Sequence, residues 1–198
     1  MQNIAFFDFD GTITTTDTFT PFIHLTVIPK TLNKGKILLA PYIIGYKLDI
    51  VSGSVIRSKI FKFGFKGRLE QELIHIGSQY CINFIPKVIR GNAMERIEWH
   101  KAQGDRIVIV SASIDLYLKP WCEKHKLELL CSEVESINGV LTGKYQNKDC
   151  SGMVKKERIL KNYDLSSYKE IYVYGDTIED NDMLSLGTIK FYRWKQLE

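Results

Sequence analysis

The sequence is poor in several features that would point to a secreted or nucleic-acid-binding protein. Its four cysteines have neither metal-ligand nor redox spacing, which predicts reduced thiols in an intracellular compartment. The first apolar run is preceded by no basic region and soon reaches two acids, so we expect no signal peptide. A net charge of +4, without a basic block interleaved with aromatic residues, argues against nucleic acid as a partner. These absences predict a cytoplasmic protein.

A membrane-spanning run is also lacking. The candidate segment, residues 37–46, is uncharged but much shorter than the roughly 20 apolar residues that a bilayer requires. Lysines flank it at Lys36 and Lys47. Two interpretations stay open. The segment is either a buried helix kinked near Pro41, or a helix that touches the inner face of a membrane peripherally.

A short stretch near the amino terminus organises the rest of the sequence. Residues 4–9 form an apolar, aromatic-rich run that predicts a buried strand, and it ends in Asp8-x-Asp10-Gly11-Thr12. Side chains two positions apart share one face of a strand, so both carboxylates project from the same side. Burying two acids is costly without a cation, and a divalent metal ion with hard oxygen ligands is the simplest partner.

The remaining pattern predicts an α/β protein of 198 residues, long enough for one core with a small appended domain. Residues 18–86 have helical periodicity, with a break near Pro41 and a helix N-cap at Ser54. Strands and helices then alternate, and Asn138-Gly139 marks a hairpin turn. The predicted later strands are residues 106–110, 127–132, 170–174 and 189–192, with residues 191–194 read as an edge.

Alternation of strands and helices is typical of a doubly wound, Rossmann-like parallel sheet, here with an inserted α-helical cap. We expect residues 1–14 and 88–198 to form the core and residues 15–87 to form the cap. Ligands of such sheets gather beyond the carboxyl ends of the strands. Three predicted strand ends carry polar residues, namely Asp8 with Asp10, Ser111, and Asp176.

These residue types suit phosphoryl chemistry. A carboxylate such as Asp8 attacks phosphorus only where the phosphate charge is neutralised, which calls for a divalent cation and a lysine. Asp176 is the expected further metal ligand. Asp180, four residues later, would either bind the metal ion directly or hold one of its ligands in place. Lys155 or Lys156 supplies the cation, because a lysine in the first turn of a helix favours an anionic partner.

Two more residues complete the expected chemistry. Ser111 would donate its hydroxyl and backbone N–H to phosphate oxygens at the start of the next helix. Asp10 is placed to protonate the leaving oxygen and then to deprotonate the attacking water.

The ordered set of Asp8-x-Asp10-Gly11-Thr12, Ser111, Lys155 and Gly175-Asp176-x-x-x-Asp180 resembles the haloacid dehalogenase superfamily of phosphohydrolases. The helical insert after the first motif is similar to the subfamily that includes phosphoserine phosphatase. The Gly152-x-x-Lys155 spacing and the Gly-Asp-Thr-x-x-Asp-x-x-Met-Leu stretch resemble a bacterial branch that includes a phosphatidylglycerophosphate phosphatase.

The resemblance implies a nucleophile at Asp8, a general acid and base at Asp10, and phosphate binding by Ser111 and Lys155. It implies Mg²⁺ held by Asp8, the backbone carbonyl of Asp10, and Asp176, with Asp180 as a further acid. Asp17 falls where phosphoserine phosphatases carry a cap glutamate that grips the substrate, and Arg57 is a further candidate for substrate binding.

One departure bears on the substrate. Phosphoserine phosphatases usually follow the motif serine with two glycines, whereas Ala112 and Ser113 follow Ser111 here, so the pocket floor is narrower and Ala112 itself faces the substrate. We therefore expect a magnesium-dependent phosphatase for either a small soluble ester or a lipid phosphate. A phosphotransferase and a non-catalytic binding protein on the same fold are the alternatives. The sequence does not indicate an oligomeric state.

Overall fold

The computed structural model describes residues 1–197. The strands of this part of the chain are β1 (Ile4–Phe7), β2 (Arg106–Ile114), β3 (Glu128–Ser132), β4 (Val134–Ile137), β5 (Val140–Tyr145), β6 (Ile171–Gly175), β7 (Ile189–Tyr192) and β8 (Lys195–Leu197). The helices are α1 (Phe19–Thr26), α2 (Pro29–Leu38), α3 (Ala40–Lys47), α4 (Gly53–Phe65), α5 (Glu70–Asn83), α6 (Ile85–Val88), α7 (Gly91–Ala102), α8 (Asp115–His125), α9 (Met153–Asn162) and α10 (Asn181–Leu184).

The main sheet has the strand order β3-β2-β1-β6-β7-β8. Neighbouring strands from β3 to β7 run parallel, and β8 pairs antiparallel with β7. The prediction of a doubly wound parallel sheet is therefore confirmed, with β1 at its centre. The edge was predicted wrongly, because the chain turns at Arg193 and Trp194, both with positive φ, and β8 forms the edge instead.

Alternation along β1 divides the core between the two faces of the sheet. Ala5 and Phe7 belong to the larger apolar cluster, which continues into the cap helices. Ile4 and Phe6 belong to the smaller cluster on the opposite face, under α9 and α10. Both faces are covered, as in other parallel sheets, and this explains why the strand reads as a continuous apolar run.

Helices α1 to α6, here called the cap, lie between residues 19 and 88, almost entirely within the segment predicted as a helical cap. The predicted break near Pro41 is present, since α2 ends at Leu38 and Pro41 lies in the first turn of α3, where a missing N–H is tolerated. The predicted N-cap of α4 is wrong. Ser52, and not Ser54, accepts the hydrogen bond from the Val55 N–H, at 3.4 Å. No helix within residues 1–197 is both long enough and apolar enough to cross a bilayer.

The chain enters and leaves the cap through two adjacent segments. Thr14 and Ile89 form an antiparallel bridge, and the Thr15 N–H donates to the Val88 carbonyl at 2.7 Å. The Arg90 N–H donates in turn to the Ile13 carbonyl at 2.9 Å. These bonds hold the two crossing segments together next to the carboxyl end of β1.

The β4–β5 hairpin packs with the cap although its sequence lies within the predicted core segment. Its turn has positive φ at Asn138 and Gly139, as the predicted Asn-Gly hairpin requires. The Gly67 N–H donates to the Leu141 carbonyl at 2.8 Å, and the Glu70 N–H donates to the Gly139 carbonyl at 2.9 Å. The hairpin thus extends from the core and packs against the segment that connects α4 and α5.

Candidate active site

The first acid lies directly after β1, at the centre of the sheet. The Asp8 N–H donates to the Tyr174 carbonyl on β6 at 2.9 Å, which continues the strand pairing by one residue. Asp8 itself is only 6% exposed. The chain then turns through Gly11, whose φ is +83°, and a Cβ there would lie 2.3 Å from Asp176 Oδ2. Glycine is therefore required at this turn for both its backbone conformation and the approach of Asp176.

Lys155 provides the cation that the buried acids need. Its Nζ lies 2.5 Å from Asp8 Oδ1 and 2.6 Å from Asp180 Oδ1, and all three side chains are buried. Burial alone would lower the pKa of Lys155, but the two carboxylates outweigh it and raise the pKa, so the ammonium form is held. Lys156, the alternative candidate, instead donates to Ser185 Oγ on an exposed side of α9.

The two carboxylates beside Lys155 differ electrostatically. Burial raises the pKa of Asp8 well above its usual value, and Lys155 offsets this only in part. Burial also opposes ionisation of Asp180, but Lys155 and the N–H groups of Asp176 and Thr177 outweigh it and lower the pKa of that carboxyl. Those two N–H groups donate to Asp180 Oδ2 at 3.0 Å each. Asp180 is therefore fixed and charged, and it positions Lys155 against Asp8.

Asp176 completes a cluster of acids. Its Oδ1 accepts a hydrogen bond from Thr12 Oγ1 at 3.0 Å, and burial raises the pKa of Asp176 above its usual value. Asp8, Asp176 and Asp180 each offer one carboxylate oxygen, and these oxygens lie within 4.8 Å of one another. Three carboxylates at this spacing match the hard oxygen ligands that Mg²⁺ prefers, so the residues present fit a magnesium ion.

Asp10 has different hydrogen-bond partners from those of Asp8, Asp176 and Asp180. Its Oδ1 accepts hydrogen bonds from the Thr18 N–H at 2.7 Å and from Thr18 Oγ1 at 2.6 Å. Its Oδ2 accepts one from Ser113 Oγ, which in turn accepts one from the Tyr117 hydroxyl at 2.7 Å. Burial, together with the charge of Asp17, raises the pKa of Asp10 to about 6. A carboxyl group with this pKa exchanges a proton close to neutral pH.

Ser111 lies inside a strand and not at a helix start, which corrects the sequence prediction. Strand β2 continues to Ile114, and α8 begins only at Asp115. Ser111 is 1% exposed, and its Oγ accepts a hydrogen bond from the Ser113 N–H at 3.0 Å. The register of β2 against β3 shifts between Ser111 and Ile114, so the end of the strand bends where it meets the site.

The two cap residues of the predicted site have partners within the protein. The Asp17 carboxylate accepts hydrogen bonds from the N–H groups of Phe19 at 2.9 Å and Thr20 at 3.0 Å, the first two residues of α1. Arg57 binds Asp149 through two hydrogen bonds, of 2.9 and 3.0 Å, and also binds Glu179 at 3.0 Å. Arg57 therefore fastens α4 to two loops of the core.

A single cavity of about 630 Å³ brings most of the predicted residues together. It is lined by Asp8, Asp10, Asp17, Arg57, Ser111, Ala112, Lys155 and Asp176. Asp180 lies behind Lys155. Sequence reasoning missed Thr18, Tyr117 and Asp149, and it treated Ser113 only as a side chain that narrows the pocket. The Ser-Ala-Ser spacing was a usable signal for Ser113, because residues two apart share one face of a strand.

A family model described as haloacid dehalogenase-like hydrolase matches residues 5–185. The chain belongs to this family and is a hydrolase, so the resemblance seen in its motifs is confirmed. Protein CicA of Caulobacter vibrioides is 29% identical over 193 residues, which cover 94% of this chain and 84% of that protein.

Solved structures share the fold. A Bordetella pertussis protein of unknown function has a TM-score of 0.84 at 17% identity, over 97% of this chain and 90% of that one. A phosphoserine phosphatase in its apo form has a TM-score of 0.66 at 16% identity, over 97% of this chain and 86% of that one. The active-site cavity of this chain thus lies in an established hydrolase fold.

Proposed function

We propose that this protein is a magnesium-dependent phosphatase that hydrolyses a phosphate monoester through an aspartyl-phosphate on Asp8. The observation that carries the proposal is the contact of Lys155 with Asp8, at 2.5 Å, on a buried floor that also holds Asp176. A buried carboxylate beside a lysine and a second acid is the arrangement that a nucleophile for an anionic phosphate needs. The likeness to a phosphoserine phosphatase fold supports this choice.

Asp8 and Asp176, with the backbone carbonyl of Asp10, would hold the magnesium ion. Asp180 offers a third carboxylate at this cluster, but its Oδ1 contacts Lys155 at 2.6 Å and its Oδ2 accepts two N–H groups. We assign Asp180 the task of positioning Lys155 from behind the cluster. When bound, the metal ion neutralises the charge of the phosphate, so that an anionic carboxylate can approach phosphorus.

The chain's own residues carry the two steps. An Asp8 carboxylate oxygen attacks phosphorus, the bond from phosphorus to the ester oxygen breaks, and Asp10 gives its proton to the departing oxygen. Water then attacks the phosphorus of the aspartyl-phosphate, Asp10 takes a proton from that water, and Asp8 is released with inorganic phosphate. Asp10, with a pKa of about 6, serves both directions. Lys155 and Ser111 bind the phosphate oxygens.

Substitution of the nucleophile tests the mechanism. We expect Asp8→Asn to lower the release of phosphate from a panel of monoesters by at least about 10³-fold, because the amide cannot form the intermediate. The matched control is Asp164→Asn, at an exposed residue that caps a short 3₁₀-helix and does not line the catalytic cavity, which should keep wild-type turnover. Chelation of magnesium should abolish phosphate release by the wild-type enzyme, and added magnesium should restore phosphate release. Phosphate release by Asp8→Asn with magnesium present would refute the mechanism.

The same assay separates the alternatives. A phosphotransferase would pass the phosphoryl group to an added alcohol such as glycerol more often than the alcohol's share of the solvent predicts. A non-catalytic binding protein would release no phosphate from any ester, with or without magnesium.

We also propose peripheral contact of residues 37–46 with the inner face of a membrane. Ile37, Leu38 and Ile44 are exposed by 78%, 65% and 57%, and Lys36 and Lys47 are exposed beside them. Exposed apolar side chains flanked by lysines suit the boundary of an anionic bilayer. Flotation with vesicles rich in anionic lipid tests this, with the double variant Ile37→Ser/Leu38→Ser as the control. A wild-type protein that stays unbound would remove this part of the proposal.

A further inference from the structure

The cap contains a second cavity, of about 560 Å³, enclosed by α1, α2, α3 and α4. This volume falls in the range of about 300 to 1,000 Å³ that is typical of small-molecule sites. Its walls are mainly apolar, and the side chains that build them include Phe19, Ile23, Leu32, Ile43, Ile56 and Ile60. An apolar space of this volume and lining is a candidate site for a small molecule.

The cap cavity adjoins the catalytic cavity. Asp17, Phe19, Tyr46 and Arg57 line both of them. Asp17 and Phe19 flank Thr18, whose N–H and hydroxyl hold Asp10 at 2.7 and 2.6 Å. The apolar space therefore begins next to the residues that position the proton donor for the leaving group. A group attached to the ester oxygen of a bound phosphate would lie at this opening.

The charged side chains along the cap cavity do not suit a charged occupant. Among residues 1–197, Arg57 is already paired with Asp149 and Glu179, and the Asp17 carboxylate already caps α1. Lys36 and Lys47 are exposed at the surface and can reach solvent. Three further polar residues of the lining, Thr20, His24 and Tyr46, are exposed and can also reach solvent. The rest of the lining is mainly hydrocarbon, which gains from burying apolar surface and offers nothing to a polar headgroup.

We propose that the cap cavity binds the hydrocarbon chain of the substrate, so that the enzyme acts on amphiphilic phosphate monoesters. The phosphate lies on Asp8 and Lys155, and the chain runs past Phe19 and Tyr46 into the cap. This inference rests on the proposed phosphatase function and narrows it to one class of substrate. The cap thereby recognises the apolar part of the ester, while the core carries out the hydrolysis.

A chain-length series tests the subsite. We expect kcat/KM for monomeric n-alkyl phosphates, from ethyl to decyl, to rise about fourfold for each added methylene until the cavity is filled. The dependence should appear mainly in KM, because the chain binds equally in the ground state and the transition state. A flat profile from ethyl to decyl phosphate would overturn the proposal.

Variants in the cavity wall locate the effect. Ile43→Trp places a large ring inside the cavity, so the ratio of kcat/KM for decyl phosphate to that for ethyl phosphate should fall at least about 30-fold. Leu48→Trp, at the residue after α3 and 63% exposed, lies outside the cavity lining and should keep the wild-type ratio. Equal loss in both variants, or in neither, contradicts the assignment of the chain to this cavity.

A second set of substrates distinguishes a soluble amphiphile from a membrane lipid. Phosphatidic acid in neutral phosphatidylcholine vesicles presents the same phosphate on an embedded hydrocarbon chain. Hydrolysis of the monomeric series with none of the vesicle-bound ester identifies a soluble amphiphile as the substrate type. Hydrolysis of both, lost together in Ile43→Trp, identifies a lipid that is drawn from the bilayer into the cap.

A binding measurement separates failure of this inference from failure of the proposed function. Non-hydrolysable n-alkylphosphonates should bind the wild-type protein with magnesium, by calorimetry, with an affinity that rises about fourfold per methylene. A rising affinity without turnover would reject the phosphatase mechanism and keep the subsite. Turnover that depends on Asp8, combined with chain-independent kinetics and affinity, would reject the subsite and keep the mechanism.

Discussion

The two cavities of the protein share a wall but are built in opposite ways. In the catalytic cavity the acids have specific polar partners, as in the contacts of Lys155 with Asp8 and Asp180 at 2.5 and 2.6 Å and of Thr18 with Asp10 at 2.6 Å. In the cap cavity the walls are apolar side chains on helices, with lysines exposed at the outside. Charge pairs require fixed geometry, whereas apolar contacts are non-directional. On the function and subsite proposed above, the core would therefore fix the reaction, and the cap would determine what is recognised.

The largest effect should come from removing the cation at the floor of the catalytic cavity. We expect Lys155→Met to lower phosphatase turnover by about 10³-fold, because the phosphate and Asp8 lose their shared positive partner. With magnesium chelated, the free energy of unfolding should fall by about 3 kcal/mol, because two buried carboxylates lose their partner. Stopped assays and urea denaturation measure the two effects. Lys156→Met, whose ammonium donates to the exposed Ser185, should change neither, and a matching loss there would mean that general helix damage is responsible.

The next largest effect should come from the interface between cap and core. A Cβ at Gly77 on α5 would lie 2.1 Å from the Leu116 carbonyl oxygen on α8, so the two helices touch through their backbones. We expect Gly77→Ala to lower the free energy of unfolding by about 2 to 3 kcal/mol, measured by urea denaturation. Gly91→Ala is the control, because a Cβ there meets nothing within 4 Å. Wild-type stability of Gly77→Ala would show that the cap rests on the core more loosely than the structure indicates.

A smaller effect should come from the wall between the cavities. Asp149 has a side chain only 1% exposed, and Arg57→Met leaves it without its two-point partner. We expect a loss of about 2 kcal/mol in the free energy of unfolding, less than for a fully buried pair because Arg57 is itself 18% exposed. Arg57→Lys should recover only part of the loss, since an ammonium cannot form the paired contact.

The double variant Arg57→Met/Asp149→Asn isolates the cause. It should be more stable than Arg57→Met, because the buried charge is then gone. If the single and double variants are equally unstable, the contact of Arg57 with Glu179 carries the effect instead.

Much of this architecture follows from the sequence, for a physical reason. Strands buried on both faces read as continuous apolar runs, so β1, β2 and β6 were found with their polar ends, and the acids at the ends of β1 and β6 were correctly brought to one edge of the sheet. The helices of the cap were predicted from the helical periodicity of their apolar residues. The N-cap of α4 was not, because Ser52 and Ser54 both lie within three residues before Val55 and only backbone geometry chooses between them.

What the sequence could not reveal lies in contacts between distant segments. Ser113 binds Asp10, 103 residues away, and Arg57 binds Asp149, 92 residues away. A serine near a strand end and an arginine on a helix are common, and no local pattern marks their partners. The cap cavity was equally hidden, because its apolar side chains have the spacing that any packed helix shows.

The crossing segments at Thr14 and Ile89 have a consequence for the history of this fold. The two ends of the insert are joined by a bridge and by the bond from Thr15 to Val88 at 2.7 Å, so they leave the core as two neighbouring segments. A segment whose ends lie side by side can be exchanged for another of different length without rethreading the sheet. Recombination at this point could therefore replace the whole recognition module in one event, and the hydrolytic machinery would be inherited unchanged.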